Sequence, residues 1–100
     1  MKQTINPIGQ EINTLGKVIN NKELVLVHLH LKSGEQIPSH DHKGQEVFFT
    51  IVAGTVEVVL DDTEIHRIST GTVLHFPGEA RVGVNAIEES DFFVYLINRQ

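Results

Sequence analysis

The sequence has no cysteine, no tryptophan and no cluster of basic residues. Without cysteine the chain has no disulfide, no thiolate metal ligand and no cysteine nucleophile. Eight Lys and Arg against thirteen Asp and Glu give a formal net charge of −5, and no two basic residues are adjacent. A nucleic-acid-binding surface needs a basic stripe, so this composition argues against nucleic acid as a partner.

Long apolar segments are missing as well. The opening residues MKQTINPIGQ contain no apolar stretch like that of a secretory signal. No segment approaches the roughly 20 apolar residues that a membrane-spanning helix needs. We therefore expect a cytoplasmic protein with no membrane partner. One hundred residues predict one domain. So small a domain buries only about two-thirds of its unfolded surface, which favours a homodimer.

What the sequence does contain is a series of short strand-like segments. Residues 23–32 read ELVLVHLHLK, which places Val25, Val27, Leu29 and Leu31 on one face of a strand. Similar segments recur between turn residues: EVFFTIVAG, TVEVVLDD, EIHRI, TVLHF, VGVNAI and FFVYLIN. Short strands separated by frequent turns predict an all-β sandwich or barrel. We expect a barrel over residues 23–98 and an N-terminal arm or edge strand over residues 1–22.

Residues 34–46, GEQIPSHDHKGQE, carry the one group of side chains that suggests chemistry. His40 and His42 are two residues apart and project the same way from a strand. Gly44 permits a tight turn that would return Glu46 beside them. Two imidazoles and a carboxylate suit one divalent transition metal, with Fe, Mn, Ni, Co and Zn all plausible. The competing interpretation is a polar surface turn, because short motifs recur by chance.

This segment resembles the first motif of the cupin family, in which Gly, five residues, His-x-His, three or four residues and Glu follow one another. Gly34, His40, His42 and Glu46 fill those positions. The segments IVAGTVEVVLDD and STGTVLHFPGEA look like later parts of the same barrel. The resemblance implies a double-stranded β-helix (jelly-roll) barrel that pairs as a homodimer. It also implies that His40, His42 and Glu46 hold a metal.

The sequence departs from the family pattern in two places. The family has six residues between the glutamate and the next glycine, whereas residues 47–53 make seven before Gly54. A β-bulge would absorb the extra residue. The histidine of the second motif falls on Val82, or on Arg81 if one residue is missing after Pro77. Neither side chain is an ordinary metal ligand, so the fourth ligand is absent.

Two further residues are candidates for a pocket. Arg81 at the barrel mouth would pair a carboxylate or phosphate bidentately, unless it is a solvated loop residue beside Glu79. His75 is the nearest histidine that could replace the missing ligand. Its neighbours Leu74 and Phe76 favour the core, so His75 is expected to face the opposite way.

Two functions stay open on the sequence alone. In the first, the barrel binds a divalent metal and acts on a small polar molecule as an oxygenase or isomerase. In the second, it is a non-catalytic sensor or storage module with a degenerate metal site, which binds a small molecule such as an anion held by Arg81. Fold alone does not choose between these classes, and whether the protein is an enzyme stays open.

Overall fold

The computed structural model describes residues 8–99. In that range the chain forms nine β-strands and no helix, and hence no helix long and apolar enough to cross a membrane. The strands are β1 (Gly16–Asn20), β2 (Leu24–Leu31), β3 (Gln36–His40), β4 (Gln45–Ala53), β5 (Thr55–Leu60), β6 (Glu64–Ser69), β7 (Val73–Pro77), β8 (Val82–Ala86) and β9 (Ser90–Asn98).

The strands form two antiparallel sheets that face each other. One sheet has five strands in the order β1-β2-β9-β4-β7, and the other has four in the order β3-β8-β5-β6. From β2 to β5 and from β6 to β9, each strand lies in the opposite sheet from the strand before it. This alternation winds the chain into a double-stranded β-helix, so the predicted all-β jelly-roll barrel is confirmed.

Burial alternates along the central strands β4, β5, β8 and β9 as the sequence pattern indicates. In β4, Val47, Phe49 and Ile51 are buried between the sheets, while Glu46 and Phe48 lie on the outer face. Fully burying one such apolar side chain contributes about 1.5–3 kcal/mol, so the apolar set fixes which face of the strand points inward. The same alternation in β5, β8 and β9 completes a core of valine, isoleucine, leucine and phenylalanine.

A β-bulge lies near the end of β4, between Glu46 and Gly54. The pairing of β4 with β9 runs regularly to Ile51↔Phe92 and then resumes at Ala53↔Asp91. The bulge leaves an additional residue on the β4 side of the ladder. That residue is Val52, six residues beyond Glu46, and Glu46 lies on the outer face even with the bulge present.

The N-terminal part of the described chain contributes an edge strand. β1 pairs with β2 at one end of the five-stranded sheet. The segment before it is attached through His28, whose Nδ1 lies 3.0 Å from the carbonyl oxygen of Thr14. The predicted arm or edge strand covers residues 1–22, of which residues 1–7 lie outside the described residues.

Candidate functional site

A cavity of about 300 Å³ lies between the two sheets, and we call it the barrel cavity. Its walls come from β2, β3, β4, β8 and β9. Eight of its ten lining residues are apolar: Val27, Leu29, Ile37, Phe49, Val82, Val84, Val94 and Leu96. The other two are His40 and His42. A cavity of this volume is at the small end of the range for ligand pockets.

The structure brings the two histidines together at this cavity. His40 is the last residue of β3, and His42 follows in the loop to β4. Their rings meet edge to face, with centroids 4.7 Å apart and planes at 82°. The side-by-side projection of a His-x-His segment therefore puts both imidazoles into one polar corner of an otherwise apolar space.

Gly78 holds the loop that carries His42. The His42 N–H donates to the Gly78 carbonyl at 2.8 Å, and the Gly78 N–H donates to the Gln45 carbonyl at 2.8 Å. A Cβ at position 78 would lie 2.0 Å from the His42 carbonyl oxygen. Only glycine permits the two segments to approach so closely, so the Pro77-Gly78 turn positions the histidine pair.

The backbone fixes the hydrogen-bonding role of His40. Its Nδ1 lies 2.8 Å from the carbonyl oxygen of Pro38, which can only accept. Nδ1 therefore carries the hydrogen, and in the neutral ring Nε2 is an acceptor. Burial lowers the pKa of His42, and the neighbouring His40 lowers it further, which favours an uncharged ring.

Glu46 lies elsewhere, on the outer face of the five-stranded sheet. Its Oε1 accepts from His75 Nε2 at 2.7 Å, and its Oε2 accepts from Arg99 Nε. Arg99 also pairs bidentately with Glu79, with both contacts at 2.7 Å. Arg99 and, to a smaller extent, His75 lower the pKa of Glu46. Arg99, with help from the Gly44 N–H, lowers the pKa of Glu79 to about 2. The structure thus places Glu46 in an ion-pair cluster and not beside His40 and His42.

The inward position expected for a carboxylate ligand is occupied by Val47. Counting the family's six residues back from Gly54 falls on Val47, which is separated from His42 by four residues. Val47 is fully buried, with 0% of its surface exposed. The spacing to Gly54 was therefore the signal in the sequence that could have identified Val47 as the inward residue.

The second motif also places an apolar residue at the site. Val82 pairs with His40 across β3 and β8, is buried and lines the barrel cavity. Arg81 does not line the cavity, and its Nη2 donates to the Ser39 carbonyl at 2.9 Å. Of the two candidates for the fourth-ligand position, the inward one is Val82.

His75 lies on the outer face, as its neighbours in the sequence suggest. Its ring stacks on Phe48 with centroids 4.2 Å apart, and it hydrogen-bonds Glu46. His75 is therefore outside the barrel cavity. The cluster that it joins was missed by sequence reasoning, because Arg99 is 53 residues from Glu46 and sits in no motif.

The described residues do not assemble the predicted three-ligand metal group. Between residues 8 and 99, no three His, Cys, Asp or Glu side chains lie close enough together to hold a metal ion. Metal centres in proteins ordinarily use three or four protein ligands. His40 and His42 instead have Val82 beside them, while Glu46 is on the other side of β4. These residues do not fit a three-ligand centre, and metal binding stays a prediction.

Comparison with known proteins identifies the family. A family model for the cupin domain matches residues 27–97, which is most of the chain. The chain therefore belongs to the cupin family. The suspected family membership is confirmed, and it agrees with the double-stranded β-helix seen in the structure.

Individual relatives are distant. An uncharacterised protein of Methanocaldococcus jannaschii is 28% identical over an alignment of 80 residues, which covers 78% of this chain and 68% of that protein. An RmlC-like cupin of the same archaeon, with a double-stranded β-helix fold, has a crystal structure that matches at 24% identity and a TM-score of 0.76. That match covers 98% of this chain and 93% of the other.

An enzyme is also among the structural neighbours. Oxalate decarboxylase of Bacillus subtilis, which has Mn(II) centres, matches at 21% identity and a TM-score of 0.69. The match covers 76% of this chain and 21% of that chain. At this identity the likeness shows a shared fold alone.

Proposed function

We propose that the protein is a non-catalytic module that binds a small, mainly apolar molecule in its barrel cavity. The observation that carries the proposal is the cavity wall, in which His40 and His42 are the only polar members among the ten lining residues. Small-molecule sites are mostly apolar, with a few polar groups that orient the ligand. The histidine pair would be those orienting groups.

The two valines support this assignment against a metal centre. Val82 lies at the inward fourth-ligand position, and Val47, not the Glu46 that the resemblance implied, is the inward residue after His42. Both are almost completely buried, at 1% and 0% exposure. Replacing two ligands with apolar side chains removes metal affinity and enlarges the apolar surface available to a ligand.

The second candidate is a metal-dependent enzyme, because the two imidazoles lie side by side at 4.7 Å. The structural neighbour with Mn(II) centres has a related barrel. In this alternative, His40 and His42 bind Fe, Mn, Ni, Co or Zn, and water or substrate takes the remaining positions. Glu46 would have to leave Arg99 and His75 to join them. Oxygenase or isomerase activity would follow only if metal binds.

A thermal-shift experiment separates the two candidates. The wild-type protein is heated with naphthalene or indole as apolar probes, and separately with each of the five metals. Binding to the folded state raises the melting temperature by mass action. We expect the apolar probes to raise it and Val84→Phe, which fills the cavity, to abolish the effect. Val59→Phe is the matched control, because Val59 lies on the outward side of β5.

The opposite pattern would overturn the proposal. If a metal raises the melting temperature and binds near one equivalent, while neither probe has an effect, the metal-dependent candidate replaces it. Loss of that metal in His42→Ala would locate it at the pair. A further loss in Glu46→Gln would show that Glu46 turns inward when metal is present.

We also propose that the protein is a homodimer. The outer face of the five-stranded sheet exposes apolar side chains, including Val73 and Ile97 at 58% and 40% exposure beside Phe48 and Tyr95. Covering such a patch is a common reason for association. Light scattering at micromolar concentration should give twice the chain mass, and a monomer would refute the proposal. The cytoplasmic location and the lack of nucleic-acid and membrane partners stay predictions.

A further inference from the structure

The polar corner of the barrel cavity selects for one functional group on the ligand. Resting on the function proposed above, we infer that the ligand is an uncharged molecule with an apolar body and one hydroxyl group. The hydroxyl lies between His40 and His42 and donates its hydrogen to His40 Nε2. The apolar body occupies the rest of the cavity.

The Pro38 carbonyl fixes the hydrogen-bonding role of His40. Because His40 Nδ1 donates its hydrogen bond to the Pro38 carbonyl oxygen at 2.8 Å, the neutral ring presents Nε2 as an acceptor. No side chain or backbone group among residues 8–99 donates to this Nε2. A ligand group that reaches it must therefore supply a hydrogen, which a ketone, an ether or a carboxylate cannot do.

His42 can supply the hydrogen-bond donor that the cavity-facing nitrogen of His40 lacks. The ring of His42 has no hydrogen-bond partner within the described part of the chain. A neutral imidazole carries one N–H donor and one acceptor, and the choice of nitrogen adapts to the partner. With His40 as an acceptor and His42 as a donor, the pair matches a hydroxyl, which donates one hydrogen bond and accepts another. An amine would satisfy the acceptor but would bring a positive charge.

The cavity wall contains no charged side chain that could pair with an ionic ligand. No Lys, Arg, Asp or Glu lines it, and Arg81 is directed to the Ser39 carbonyl outside. An unpaired ion buried against aliphatic side chains loses its hydration without compensation. The cavity wall therefore favours a neutral molecule over the anionic ligand that the position of Arg81 in the sequence suggested.

Three probes of nearly equal shape test the inference. Naphthalene, 2-naphthol and 2-naphthoate share one ring system. At position 2 they carry a hydrogen, a hydroxyl and a carboxylate, respectively. The chain has no tryptophan and one tyrosine, so the fluorescence of each probe can be followed against little protein background. Dissociation constants are measured for each probe at pH 7.

We expect 2-naphthol to bind about tenfold more tightly than naphthalene, the gain from one well-made hydrogen bond. We expect 2-naphthoate to bind most weakly. The ratio of the 2-naphthol and naphthalene affinities should fall to about one in His40→Phe, which keeps a ring and removes both nitrogens. His66→Phe is the matched control, because His66 lies on β6 and does not line the barrel cavity.

The three affinities separate failure of the hydroxyl assignment from failure of the proposed binding function. Binding of naphthalene and 2-naphthol with equal affinity would refute the hydroxyl assignment and keep the apolar binding function. Preference for 2-naphthoate would refute the claim that the ligand is neutral. If none of the three binds, the proposed function fails together with this inference. The three-probe comparison needs only the wild-type protein, so it stands even if His40→Phe does not fold.

Discussion

The close approach of Gly78 to the His42 loop yields a quantitative prediction for Gly78→Ala. The added Cβ would lie 2.0 Å from the His42 carbonyl oxygen and 2.6 Å from that of Gln45. Ordinary contact begins near 3.4 Å, so the two segments must separate by about 1.4 Å. Both opposing atoms belong to the backbone, so no side chain can simply rotate away.

That separation breaks the two hydrogen bonds that hold the loop. The His42 N–H to Gly78 and Gly78 N–H to Gln45 bonds are each 2.8 Å long, and lengthening either by 1.4 Å exceeds hydrogen-bond range. Each hydrogen bond contributes about 0.5–1.5 kcal/mol to the free energy of unfolding, so losing both should cost about 1–3 kcal/mol. At about 4–8 °C for each kcal/mol in a domain of this size, this corresponds to a fall in melting temperature of about 4–24 °C.

The assay is thermal and denaturant unfolding of Gly78→Ala beside Gly83→Ala. Gly83 is the matched control, because the nearest atom to a Cβ there is 3.7 Å away and its φ is not positive. We expect Gly83→Ala to leave stability nearly unchanged. Because the His42 loop moves, Gly78→Ala should also weaken 2-naphthol binding. Equal stability of Gly78→Ala and wild type would refute the positioning role assigned to Gly78.

Three other perturbations follow from the packing and the ion pairs. Arg99→Gln should raise the pKa of Glu79 from about 2 towards its usual 4.5, as followed by NMR titration. Because folding lowers the pKa of Glu79, the stability that its pair with Arg99 contributes to the wild-type protein is complete above about pH 4.5 and is lost as the pH falls towards 2. An unchanged pKa of Glu79 in the variant would contradict this. Phe92→Ala, at a fully buried position, should cost about 3–5 kcal/mol in denaturant unfolding, and a cost below about 1 kcal/mol would show that the core is loosely packed. His28→Ala removes a buried ring that contacts Asp91 at 2.8 Å and should cost about 1–3 kcal/mol by the same assay, whereas an unchanged midpoint would show that this contact adds nothing.

The strands could be predicted because local alternation and turn residues determine them. In β2 and β4, apolar residues recur at every second position, and glycine or acidic turns end the neighbouring segments. Burial of one face then orients each strand without long-range information. The prediction of a barrel of the cupin type from these segments is confirmed.

The candidate site was only partly predictable. His40 and His42 are two residues apart in one segment, so their common direction followed from strand geometry. Glu46 lies across a turn, where a difference of one residue decides between the inner and outer face. Its partner Arg99 comes from the far end of the chain and is brought near by the β4–β9 pairing. Local patterns do not contain that information.

The apolar nature of the cavity also depends on the topology. Val27, Val84 and Leu96 come from three different strands and look like ordinary core residues in the sequence. What distinguishes them is that the facing sheet does not fill the space between them. The volume left between two sheets depends on side chains from both, so it emerges only from the assembled barrel.

The most direct test of the central claim is a methyl NMR titration of the wild-type protein with 2-naphthol. If the barrel cavity binds small apolar molecules, the methyl signals of Val84 and Leu96 will shift saturably while those of Val59 stay in place. If the cavity methyl signals do not move and only added metal perturbs the rings of His40 and His42, the account is contradicted and the barrel is a metal site.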